Sequence, residues 1–394
     1  MKKKVIPSLL SLMLAPLLLF TACGGNDLPV ETDPDADTVE SISESESESE
    51  SETEAETETE TAAPVVRTEY PIKDNLESVN VLGRSSVLIT GVTSDWSASG
   101  IEFSATYENS IQILCRTTAS VQYRVFINGE ETGTVSFSSF PLYRDIPGSA
   151  EKAGENVTVR LVRISNVESG NNGILTVFDT LKIDGTLNKW TEERKLIEFI
   201  GDSITCGCGL VDSTNAFDGS RTYAYSTAVA LNADYSMVSV SGIGVSASTS
   251  RHNGRTIGTV YRQTNWYRSS ETLYTPTRAA DLVVVNLNTN DAGNGAVKEG
   301  YQEDLRELIA SIRAIHGKDV KILWVVGQMI DSTKPVNSWL AEVFAELGGE
   351  AAGLYTVTTY KNTSGGASHP NQKSHDDTAV IVAKFIRDNN LLGD

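Results

Sequence analysis

Residues 196–205 read Leu196-Ile-Glu-Phe-Ile-Gly201-Asp-Ser203-Ile-Thr205, and this stretch decides the fold. A short apolar run ending in a glycine predicts a buried strand followed by a tight turn. The serine then stands directly beyond the strand's C-terminal end. The same logic extends downstream. Residues 236–240, 281–286 and 320–326 read as further short buried strands. Residues 223–232, 301–316, 336–347 and 375–389 read as helices; Leu305, Leu308, Ile309 and Ile312 recur at helical spacing before Gly317. Alternating strands and helices predict a mostly parallel sheet with helices on both faces. In such sheets the chemistry gathers at the C-terminal ends of the strands.

Upstream the period changes to two. Residues 110–115, 121–127, 157–162 and 173–178 alternate apolar and polar, and turn signals such as Asn128-Gly129 and Asp184-Gly185 separate strands. Residues 66–188 therefore predict an all-β sandwich, jelly-roll or immunoglobulin-like. No histidine falls within it. The chain thus divides into two domains, 66–188 and 189–394.

The 394 residues carry a formal charge of −20, from 52 acids against 32 bases. Fifteen of those acids lie in residues 24–63, which hold no Lys or Arg. With that tract and Lys2, Lys3 and Lys4 set aside, the remainder is only −8. A mildly acidic body without a basic stripe argues against nucleic acid as a partner. Residues 24–65 alternate acids with Ser and Thr, lack an apolar face, and are expected to be a disordered stalk; Ca²⁺ binding is the sharper alternative, but a flexible chain offers no preformed cage. Residues 1–23 combine a basic start with a short apolar stretch, as a secretory signal does. Phe20-Thr-Ala-Cys23 resembles a bacterial lipobox, with Phe20 where Leu is usual. The resemblance implies lipidation of Cys23 and a cell-surface lipoprotein touching membrane through that anchor alone; an ordinary signal peptide with an incidental cysteine is the alternative. No later segment reaches the roughly 20 apolar residues of a membrane span.

Ser203 needs a neutral imidazole in reach to act as a nucleophile. Four histidines are available. His316 ends a helix beside Gly317, where capping is the expected role. His252 follows a Ser/Thr-rich loop and is expected in solvent. His375 starts the last helix and is expected to brace the loop before it. His369 lies in the Gly-rich run 364–371, a loop able to reach over the sheet edge.

Gly201-Asp-Ser203-Ile204, Ser241-Gly242-Ile-Gly244, Asn288-Thr-Asn290-Asp291 and His369-Pro370 resemble, in order, the four blocks of the SGNH (GDSL-type) esterases. With the β-rich domain and Asp95-Trp-Ser-Ala-Ser-Gly-Ile-Glu-Phe103, the chain over about residues 70–394 looks like carbohydrate esterase family two. That resemblance implies a jelly-roll sandwich followed by a three-layer αβα hydrolase. It implies hydrolysis of acetyl esters on plant-type polysaccharides, of the xylan or mannan class, through an acetyl-enzyme without metal or cofactor. Ser203 would be the nucleophile and His369 the base, with an oxyanion hole from the N–H groups of Ser203 and Gly242 and the amide of Asn290. Gly244 is the alternative backbone donor.

Several positions depart from the family pattern. An Asp usual two or three residues before the histidine is replaced by Ala367 or Gly366, so a backbone carbonyl is expected to orient His369. Asn288 stands where Gly is usual, Ser368 replaces a common aromatic, and Cys208 a common Tyr. These departures motivate the alternative of a carbohydrate-binding lipoprotein with a degenerate site. Cys115, Cys206 and Cys208 are expected as buried thiols. Two cysteines and scattered histidines fall short of a metal site. Trp96, Tyr261, Trp266 and Trp339 are candidates for stacking on sugar. The expected partner is an acetylated polysaccharide or oligosaccharide, bound by a monomer.

Overall fold

A computed structural model describes residues 65–165, 173–210, 217–266 and 273–393. The expected signal and lipidation site in residues 1–23 and the acidic tract in residues 24–63 lie outside them. Ten strands make up the first half: β1 (Thr68–Pro71), β2 (Val79–Leu82), β3 (Val87–Leu88), β4 (Gly91–Ser94), β5 (Gly100–Thr117), β6 (Val121–Ile127), β7 (Glu130–Phe137), β8 (Tyr143–Asp145), β9 (Asn156–Arg163) and β10 (Thr176–Asn188). All pair antiparallel, in the order β3-β4-β10-β5-β9-β6-β7, with β1 on β10 and β2 and β8 on β5. Hydrogen bonding runs unbroken through all ten because β5 and β10 are long and their pairing is bulged at Phe178/Thr180 and Ile183/Gly185. Bulges bend strands and let one strand serve both halves of a curved sheet. Alternating inward residues fill a single core in which Tyr123 packs edge-on against Phe137 and Phe178. Asn128-Gly129 is the two-residue turn joining β6 to β7.

The second half is a five-stranded parallel sheet: β11 (Leu196–Gly201), β12 (Asp234–Ser239), β13 (Leu282–Asn286), β14 (Lys321–Val326) and β15 (Leu354–Thr358), in the order β12-β11-β13-β14-β15. Helices α1 (Ser203–Cys206), α2 (Tyr223–Ala230), α3 (Ile257–Tyr261), α4 (Thr289–Gly293), α5 (Lys298–His316), α6 (Pro335–Glu346) and α7 (Gln372–Asp388) connect and cover the strands. Successive strand residues point to opposite faces. Val283 and Val285 join the core under α3, α5 and α6, whereas Leu282 and Val284 join the core under α2 and α7. Both faces are buried, which is why these strands read as unbroken apolar runs. The chain reverses direction across the sheet at β11, leaving a crevice at the C-terminal ends of β12, β11 and β13.

The halves share structure instead of merely touching, and residues 63–394 form one compact unit. Trp96, from the β-rich half, is fully buried in the core of the α/β half, its Nε1–H donating to the Thr264 carbonyl at 2.8 Å. Arg84 reaches from the β2–β3 connection into the α/β half, where Nε and Nη2 meet both carboxylate oxygens of Glu198 at 3.1 Å. Arg124 of β6 bonds Asp218 at 2.6 Å and Ser220 at 2.8 Å.

These placements correct several sequence expectations. Trp96 and Tyr261 are core residues, and Trp266 is buried against Trp96, so none presents a face to sugar. His316 does not cap a helix. Its Nδ1 accepts from Ala280 N–H at 3.1 Å and its Nε2–H donates to Glu198 at 2.9 Å. Strand β15 escaped the sequence reading, because Leu354-Tyr-Thr-Val-Thr358 alternates as an edge strand and is not a continuous apolar run.

Candidate active site

β11 delivers Ser203. The strand ends at Gly201, Asp202 caps α1 by accepting the Ile204 N–H at 3.0 Å, and Ser203 is the first helical residue, 5% exposed. Its backbone N–H makes no hydrogen bond among the described residues. The loop before α7 delivers His369. Its Nε2 lies 2.8 Å from Ser203 Oγ, and its Nδ1 lies 2.9 Å from the Ala367 carbonyl oxygen. With Nδ1–H donating to that carbonyl, Nε2 is left as the acceptor facing the serine. No side-chain carboxylate bonds the ring among the described residues. Burial lowers the imidazole pKa below its ordinary value, with the Ala367 carbonyl opposing the shift. The neutral ring is therefore the dominant species at pH 7.

The loop reaches this geometry through an uncommon backbone. Ala367 and Ser368 both adopt left-handed conformations, φ 51° and 58°. Such angles cost non-glycine residues about 1 kcal/mol or more each and cluster where surrounding structure imposes them. Here Gly366 N–H donates to the Gly209 carbonyl at 3.0 Å, and Asn371 caps α7 by accepting from Ser374 N–H at 3.0 Å. Gly209 is left-handed itself (φ 80°), and a Cβ there would sit 2.3 Å from the Gly366 oxygen and 2.7 Å from His369 Cβ. Gly209→Ala is thus expected to push the histidine loop away from Ser203. A displacement of about 1 Å costs roughly 10²-fold in turnover. Steady-state kinetics of the variant, with melting temperature as a fold control, check this; wild-type kcat would contradict it.

β12 and β13 supply the neighbouring turns. Gly242, with φ 80°, follows β12, and its N–H makes no hydrogen bond among the described residues. Gly244 N–H is engaged, donating to Ser248 Oγ at 3.0 Å. Of the two glycines that the sequence left open, only Gly242 keeps a free donor. Asn290 departs from expectation. Its Nδ2 donates to Asp202 Oδ2 at 3.1 Å and to the Ile243 carbonyl at 2.8 Å, so both amide hydrogens are occupied.

Asn288 now has a reason. The position has φ 85°, a conformation that favours glycine and, after it, asparagine. Its amide donates to Asn337 at 2.9 Å and accepts the Tyr301 hydroxyl at 2.7 Å. Asp291, in the same block, accepts the N–H groups of Val245, Ser246 and Ala247 at 2.8–3.0 Å. It ties the loop after Gly244 to β13's turn, a role that no sequence signal marked. Burial raises the Asp291 pKa against those three donors. Asp202 is likewise pushed up, to about 7, by burial, partly offset by the Ile204 N–H and reinforced by the nearby Asp291.

The remaining candidates sort as follows. His252 is buried, not solvated, with Nε2 2.8 Å from the Ser241 carbonyl. His375 accepts the Tyr223 N–H at 3.0 Å and stacks on the Tyr223 ring; burial drives its pKa down to about 3. It braces the start of α2, not the loop carrying His369. Cys115, Cys206 and Cys208 are buried and form no disulfide among the described residues. Among the described residues no group of three or more His, Cys, Asp or Glu side chains is placed to hold a metal ion.

Residues 199–379 match the GDSL-like Lipase/Acylhydrolase family. Over 152 residues the chain is 35% identical to the cellulase/esterase CelE of Acetivibrio thermocellus, spanning 36% of this chain and only 18% of that protein. Among solved structures, an acetyl xylan esterase (Est2A) from the rumen bacterium Butyrivibrio proteoclasticus superposes with a TM-score of 0.74 at 20% identity, over 84% of this chain and all of that one. A family two carbohydrate esterase from Clostridium thermocellum, in complex with cellohexaose, superposes with a TM-score of 0.71 at 22% identity, over 80% and 99% of the two chains. At these identities the likeness to the solved structures is one of fold.

Proposed function

We propose, from the GDSL-like acylhydrolase domain at residues 199–379, that this protein is a carbohydrate esterase removing O-acetyl groups from plant-type polysaccharides of the xylan or mannan class. The observation that carries the reading is the 2.8 Å contact between Ser203 Oγ and a His369 ring whose other nitrogen is held by the Ala367 carbonyl. Fold likeness to family two carbohydrate esterases supports the substrate class. The signal-like N-terminus and Cys23 support display of a lipid-anchored enzyme at the cell surface.

In this mechanism His369 Nε2 takes the Ser203 proton as Oγ attacks the acetyl carbonyl carbon. The tetrahedral oxyanion is received by the Ser203 and Gly242 N–H groups, and by Asn290 once its amide lets go of Asp202. The imidazolium returns its proton to the departing sugar hydroxyl, leaving an acetyl-enzyme. Water, deprotonated by the same nitrogen, then attacks the acetyl carbon; the bond to Ser203 Oγ breaks, Oγ takes back the proton from the imidazolium, and acetate leaves. The β-rich half acts mainly by packing, since Trp96 and Arg84 complete the hydrolase core.

Acetate release from acetylated xylan, glucomannan and pectin, compared with hydrolysis of long-chain acyl esters, tests this. Release from the first two is expected. Glycan binding without turnover, or a preference for long acyl chains, would overturn it. The pH profile gives an independent check. His369 must be neutral to act, and burial lowers its pKa, so activity should persist below the ordinary imidazole midpoint of about 6.5. Burial pushes the Asp202 pKa up to about 7, so a limb that survives in Asp202→Asn belongs to His369. An acid limb above the ordinary imidazole value in both proteins would contradict the assignment.

A further inference from the structure

We propose that Arg251 and His252 are positioning residues of the oxyanion hole, acting through the Ser241–Gly242 peptide. The proposal rests on the esterase reading above. The carbonyl of Ser241 and the N–H of Gly242 are the two ends of one planar amide, pointing in opposite directions. The carbonyl end accepts two hydrogen bonds, from Arg251 Nη2 and from His252 Nε2, the latter at 2.8 Å. The next carbonyl, that of Gly242, accepts the Thr249 N–H at 2.9 Å. The segment 249–252 thus clamps the turn from outside and leaves the Gly242 N–H as its unengaged end.

Two consequences follow from elementary electrostatics. Fixing the carbonyl direction fixes the N–H direction, so the donor is aimed before substrate arrives. A guanidinium on the oxygen also polarises the amide, and hydrogen bonds in such chains strengthen one another. The Gly242 N–H becomes a stronger donor to a developing negative charge than an ordinary peptide. His252 is suited to its part as a neutral donor. It is buried, it meets the Trp266 ring edge-on at 6.4 Å, and burial holds its pKa below the ordinary value, with Arg251 and Arg255 adding to the shift. The turn admits nothing bulkier: a Cβ on Gly242 would lie 2.6 Å from Thr249 Oγ1 and 2.9 Å from Arg251 Nη2.

The test is kinetic, on the full chain, with p-nitrophenyl acetate as substrate and phenylboronic acid as a tetrahedral adduct former at Ser203. Arg251→Met and His252→Phe are each expected to lower kcat by about 10- to 100-fold, less than or comparable to the cost of losing an oxyanion donor outright. KM should stay within about threefold, and boronate affinity should fall in parallel with kcat. Arg251→Lys, which keeps the charge without the planar fork, should recover part of the loss. A role confined to holding the loop together would move melting temperature without this split. The two readings fail differently. A wild type that hydrolyses no ester overturns the esterase assignment. A wild type that turns over and loses activity in Ser203→Ala, while both variants keep kcat within twofold or change only KM, overturns the positioning role alone.

Discussion

Ser203→Ala should reduce kcat for acetate release by about 10⁴- to 10⁶-fold while leaving the fold intact. The size follows from what is removed. Among the described residues the hydroxyl is the group bonded to His369 Nε2, and replacing a serine nucleophile in a comparable hydrolase costs about 10⁶ in turnover. The stability cost is small, because among the described residues Oγ bonds only the histidine and its loss leaves no buried charge behind. His369→Ala should cost a similar factor. The double variant should be no worse than either single one, since nucleophile and base act as a unit and their effects do not add. Residual turnover in Ser203→Ala within about 100-fold of wild type would mean that another group delivers the attack. Such a result would move the chemistry away from the crevice at β11.

The sequence carried the α/β half well because its strands are buried on both faces and its serine stands where a strand stops. Leu196–Gly201 coincides with the stretch read as a strand, and the long helices differ by only a few residues at their ends. Ser203 and His369, 166 positions apart, were selected by residue type and loop context, and the fold brings them to 2.8 Å. What stayed hidden depends on backbone direction and tertiary burial. The missing acid already points to a backbone carbonyl beside the imidazole, but not to that of Ala367, whose loop places two left-handed residues that composition does not encode. Asn290 reads as a free amide from sequence, yet Asp202 and the Ile243 carbonyl already hold it. His252 looked solvated among serines and threonines because its partner, the Ser241 carbonyl, is a backbone atom eleven residues away. Trp96 illustrates the same limit across the two halves, since its burial depends on a neighbour in the other one.

Arg84→Met should destabilise the protein by about 3–5 kcal/mol, the usual consequence of stranding one partner of a buried ion pair. Both side chains are essentially without solvent exposure. Glu198 accepts from Arg84, from the Tyr261 hydroxyl at 2.8 Å and from His316 at 2.9 Å, while Arg84 also lies over the rings of Tyr261 and Tyr274. Burial pushes the Glu198 carboxyl pKa up, but Arg84 and His316 more than reverse this and bring it down to about 2. The sign of the linkage follows. A carboxylate whose folded pKa lies below its unfolded value of about 4.3 contributes stability that is complete above that value. The contribution is lost as pH falls through about 2. Without Arg84 the balance inverts, because burial then dominates and the folded state prefers the protonated acid. The variant's deficit should therefore be largest at neutral pH and narrow as the solution is acidified. Denaturant midpoints of wild type and Arg84→Met, measured from pH 7 down to pH 4, read this directly. Arg84→Met combined with Glu198→Leu should recover most of the loss, since an apolar pair leaves no uncompensated charge. A deficit under about 1 kcal/mol, or one that does not change with pH, would mean that the Arg84–Glu198 pair does not fasten the β-rich half to the sheet that carries Ser203.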